Sequence, residues 1–157
     1  MSKKFLWLFL ALLAVPMTGA AQNPPSAPSY RPGLGDLMTS TIQPRHIKLA
    51  IAGRAQNWTY AAYEQHELEE AFERAAQTWP KWRNFPIAGM ISTITRDPME
   101  ALEKAIKAQD EAAFTAAYAK LTGACDSCHQ AAERGMIVIR VPDSSSFPDQ
   151  EFNPPAK

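Results

Sequence analysis

The sequence predicts an all-α fold, an antiparallel four-helix bundle followed by an extended C-terminal arm. Three observations point to it. Apolar residues recur at spacings of three and four over four separate stretches. Prolines, glycines and capping residues punctuate those stretches at helix-length intervals. Only residues 136–141 (MIVIRV) read as extended, and a lone strand cannot satisfy its backbone.

Taken in order, residues 1–21 read as a signal peptide rather than part of the fold. Lys3 and Lys4 precede the apolar run FLWLFLALLAV, and Thr18-Gly19-Ala20-Ala21 supplies small residues for cleavage after Ala20 or Ala21. The run is short for a membrane span. A retained N-terminal anchor is the alternative, and no cysteine stands near the cleavage site to carry a lipid. Residues 22–33 are Pro-rich and read as a flexible or extended leader.

The bundle is expected over residues 34–135. A first helix is predicted from about 34 to 52, with Met38, Ile42 and Leu49 on one face. Pro44 should kink or divide it, and Gly53 should stop it. The second, from about 57 to 78, is the clearest. Asn57 is its cap, an apolar stripe runs from Trp58 to Trp79, Glu64 and other acids mostly take the opposite side, and Pro80 ends it. Residues 80–96 are ambiguous between a buried loop and an early helical turn. Asp97-Pro98-Met99-Glu100 then carries the marks of a helix start, an aspartate cap with proline at the first position. That third helix should end near Gln109, where Asp110 caps a fourth running to about Arg134, with Gly135 as its C-cap. Phe114, Ala117, Tyr118, Leu121, Cys125, Cys128 and Ala132 form its stripe. Residues 136–157 make the Pro- and Ser-rich arm.

The chemistry is concentrated in Cys125-Asp126-Ser127-Cys128-His129, which holds the only two cysteines of the chain. C-x-x-C-H is the attachment pattern of c-type haem. Both thiols and the following histidine lie within about one helical turn, so all three can face one flat macrocycle. Cys125 and Cys128 would carry thioethers and His129 would ligate the iron, with one haem c per chain. An export signal agrees with such a cofactor and equally with a disulfide. A thioredoxin-like pair would need a βαβ context, which is missing.

Export would place the protein in the periplasm, with no membrane association once the signal is cleaved. The 16 basic and 16 acidic residues balance, and loss of Lys3 and Lys4 leaves a slight negative excess. Neither favours nucleic acid. No nucleophile–base pair, metal cluster or phosphate loop supports an enzyme reading.

Four antiparallel helices with this motif late in the last one resemble the cytochrome c′ family and its low-spin c-556-like relatives, over roughly residues 34–134. The likeness is most specific at Ala124-Cys125-Asp126-Ser127-Cys128-His129, behind Ala116-Ala117-Tyr118. It implies covalent haem c with His129 proximal, a distal group from the first helix, and a homodimer formed through the first two helices. The Pro44 interruption, the Gln43-Pro44-Arg45-His46 cluster and the long tail after Gly135 depart from the family's pattern.

Met38 is the first candidate for the distal ligand, since Met/His ligation is an established haem pairing; core packing is its ordinary role. His46 competes, about 80° round an ideal helix from Met38. Arg45 and Arg54 are weaker candidates for haem propionates, Trp58 for lining the pocket. His66 should face solvent. Two functions follow: electron transfer with redox partner proteins if the iron is six-coordinate, or binding of NO or CO if the distal position is open. A non-haem interaction module with a Cys125–Cys128 disulfide is the third.

Overall fold

The structure is a computed structural model that describes residues 30–156, so the expected signal peptide and most of the leader lie outside the described residues. All elements belong to one unit, Arg31–Lys157. It is helical, with four long helices and, among the described residues, no strand beyond one isolated bridge between Trp82 and Phe85.

Helix α1 is composite: an α-helical turn Leu34–Leu37, a π-helical turn Met38–Ile42 and an α-helix Gln43–Arg54. The π turn explains how Pro44 is tolerated. Gln43 N–H reaches back to Met38 O, one residue further than in an α-helix. The wider turn absorbs the missing donor and the crowding that proline brings, so the expected break becomes a bulge inside a continuous helix.

Gly53, expected to stop this helix, lies buried within its last turn. A Cβ there would fall 2.1 Å from two ring carbons of Phe114. The glycine is a packing residue that lets the Phe114 ring approach the backbone. The left-handed residue after α1 is Gln56, at φ 54°.

Helix α2 (Trp58–Thr78) begins as its cap predicts, with Asn57 Oδ1 accepting from Tyr60 N–H at 3.2 Å. Glu64 is a correction. It is only 1 % exposed, because Arg45 of α1 meets it with Nη1–Oε2 at 3.2 Å, while Arg45 Nη2 reaches Glu67 at 3.0 Å. Burial works against the Arg45 charge, but the two carboxylates outweigh it and raise the guanidinium pKa. At the other end of α2, Trp79 holds the last leader residues: its Nε1 donates to Pro32 O at 2.9 Å, and Arg31 lies 3.7 Å above its ring.

Helix α3 runs from Ile87–Ala108, so Asp97-Pro98 is no helix start. Ile87, Ile91, Thr95, Pro98, Met99, Leu102, Ala105 and Ile106 form one buried stripe that continues across the proline. Burial of that stripe outweighs the roughly 3 kcal/mol proline penalty, and the local cap signal loses. Gln109 then turns left-handed at φ 56°, and Asp110 Oδ1 accepts from Ala113 N–H at 2.9 Å to start α4 (Glu111–Ala131). At the far end of α4 it is Glu133, φ 57°, and not Gly135 that takes the left-handed conformation.

The core joins all four helices, with Leu49, Leu68, Leu102 and Leu121 fully buried and Phe114 2 % exposed. The tail belongs to the same core. Phe152 is buried and stacks on Tyr60 at 5.6 Å, while Asn57 Nδ2 donates to Phe152 O and Asn153 O at 3.2 and 3.3 Å. No described helix is long and apolar enough to cross a membrane.

Candidate functional site

Residues 125–129 occupy the last turns of α4, which runs unbroken through both cysteines to Ala131. The thiols are half-buried, and neither is in a disulfide. Burial, then Cys128 and Asp126 nearby, pushes the Cys125 thiol up to about 11, and burial likewise raises Cys128. Reactive dithiols are activated by the opposite shift, toward thiolate at neutral pH.

His129 Nδ1 lies 3.1 Å from Ile137 O. A carbonyl only accepts, so Nδ1 carries the proton. In the neutral ring Nε2 therefore keeps its lone pair, the arrangement that second-shell carbonyls impose on metal-binding histidines. The carbonyl comes from the chain just beyond α4. There the backbone doubles back: Ile137 N–H donates to Arg134 O at 2.8 Å, and Ile139 N–H to Asp126 Oδ1 at 2.7 Å. Met136, Ile137, Val138 and Val141 are all exposed, at 77, 47, 68 and 49 %. These are apolar side chains left partly in solvent on a segment whose backbone bonds to Asp126 and His129.

His46 is buried between α1 and α4. Its Nε2 lies 3.1 Å from Thr122 Oγ1, and its ring centroid 4.7 Å from that of Tyr118. Thr122 gives its single hydroxyl proton to Tyr118 O at 3.0 Å, so the His46 Nε2 must be the donor. Tyr118 in turn donates to His46 O at 2.7 Å. Desolvation lowers the His46 pKa to about 4. Its ordinary value is 6.5, so the unfolded chain binds this proton more readily than the folded one. Its contribution, of order 3 kcal/mol, is present above pH 6.5 and lost as pH falls toward 4. Urea titrations between pH 7 and 4 should show this loss, and His46→Leu should flatten it.

Met38 sits in the π turn of α1, half-buried against the core. Arg45 is engaged by Glu64 and Glu67, and Arg54 donates to Pro142 O in the tail. Trp58 packs edge-on against Phe114, with centroids 6.0 Å apart. His66 is exposed and pairs with Glu70 at 3.3 Å. Among the described residues no three His, Cys, Asp or Glu side chains gather as a metal cluster. What sequence reasoning missed is the partner of the His129 ring, a backbone carbonyl, which has no sequence signal of its own.

No family model matches this chain, and no curated protein or solved structure matches it either.

Proposed function

We propose that the chain is an exported monohaem c-type cytochrome, an antiparallel four-helix bundle of the cytochrome c′ and c-556 kind, that carries single electrons in the periplasm. The observation that carries this reading is the His129 ring: Nδ1 against Ile137 O leaves Nε2 available as a metal ligand beside two free thiols on the same helix. The donor set suits the group. Cys125 and Cys128 would hold the macrocycle through thioethers, His129 would ligate its iron, and the apolar strip at 136–141 would cover an edge of it. Bound haem would supply a one-electron Fe(III)/Fe(II) couple; the chain would orient it, exclude water and tune it. The raised thiol pKa values argue against a dithiol oxidoreductase.

On the opposite face Met38 is favoured over His46. The His46 ring is buried with Nε2 donating to Thr122, and turning it toward a metal would break that bond in the core. Met38 is unbranched and only partly buried against the core, so its thioether can be re-aimed at little cost. Arg45 is a poor propionate partner for the same reason that His46 is a poor ligand: its fork already holds two carboxylates.

Absorption and EPR spectra of the haem-loaded protein test the axial assignment. A low-spin six-coordinate iron in both redox states, turning high-spin in Met38→Ala, is expected. High-spin iron in the unaltered protein would instead favour the open, NO- or CO-binding alternative.

A further inference from the structure

We infer that the C-terminal arm is a proximal strap: residues 137–139 position the His129 ring, through the Ile137 carbonyl, and so set its donor strength toward a metal. This rests on the haem reading above. Its own basis is the way the arm is fixed at both ends of its path. Next to α4, Ile139 N–H donates to Asp126 Oδ1 at 2.7 Å, and Asp126 is one of the two residues between the cysteines. The register of the arm is thus clamped to the motif itself. That clamp places Ile137 O 3.1 Å from His129 Nδ1.

Further along, Arg54 holds Pro142 O, Lys48 lies 4.6 Å over the Phe147 ring, and Phe152 is buried against Tyr60. The arm therefore leaves α4, crosses α1 and ends on α2. A segment with four exposed apolar residues near its start would gain little by ordering there for packing alone. Its backbone contacts to the motif give that order a use.

The physical consequence has a sign. An imidazole whose Nδ1–H is held by a carbonyl is a stronger donor through Nε2. A stronger donor favours the oxidised metal, so cutting the contact should raise the reduction potential.

The experiment compares the full-length holoprotein with Asp126→Ala and with a form ending at Gly135. The readouts are haem content by pyridine haemochrome, the midpoint potential, and NMR exchange protection of the His129 ring N–H in the ferrous protein. Normal haem content with a raised potential and a loss of ring N–H protection is expected in both variants. If the truncated form fails to fold, Asp126→Ala still decides, since every contact of the arm beyond Ile139 stays intact. Haem-loaded variants whose ring N–H stays protected would overturn the strap alone, whatever their potential, since loss of the Asp126 charge raises it independently. Unaltered protein without haem would overturn the cytochrome reading, and the strap's role with it.

Discussion

Arg45→Ala should cost about 3–5 kcal/mol of unfolding free energy at neutral pH, among the largest losses from any single substitution in this chain. Glu64 is 1 % exposed and has Arg45 as its ion-pair partner. Removing the guanidinium strands a carboxylate in the core, and the desolvation cost of that charge falls on the folded state alone. Arg45→Ala with Glu64→Gln should recover much of the loss, because the stranded charge is then gone. Urea denaturation of the four members of that cycle measures it. Losses in the two single variants that simply add in the double variant would show that the pair itself is of little consequence.

A second large effect is expected where α1 and α4 meet. Phe114→Ala should cost about 3–5 kcal/mol, as truncation of a buried aromatic does, since Phe114 is 2 % exposed and packs against Trp58 and Tyr118. Gly53→Ala in the unaltered protein should cost about 1–3 kcal/mol by overpacking, because its Cβ would fall 2.1 Å from that ring. The two effects share one space. In the Phe114→Ala background the Gly53→Ala penalty should vanish or reverse, a non-additivity that denaturation of the double variant would reveal.

Gly53 also shows where the sequence misleads. Glycine near the end of a periodic stretch reads as a stop, yet here it is small for the sake of a ring that arrives from a distant part of the chain. Gly135 is not the C-cap it reads as, and Gln56, Gln109 and Glu133 take the left-handed positions. At Asp97-Pro98 a strong local start signal is overridden by a stripe whose period runs from Ile87 to Ile106 without a phase change. Following the period across the ambiguous segment would have found the true beginning. Glu64 has no such remedy: its burial depends on Arg45, a residue of another helix.

By contrast α2, the Asn57 and Asp110 caps and the helical setting of Cys125, Cys128 and His129 were legible, because each rests on local chemistry within one or two turns. The tail was legible only as an arm. Phe147 and Phe152 are the residues that could have marked it as anchored, two aromatics within a Pro- and Ser-rich stretch, each meeting a partner from an early helix.

The most direct measurement of the central claim is the haem content of the protein exported from a bacterium competent in c-type maturation, followed through denaturing electrophoresis. One haem per chain that survives denaturation, and is lost from the Cys125→Ser, Cys128→Ser double variant, is expected. A denatured chain without haem, or haem that separates from it, would contradict covalent attachment at these two thiols.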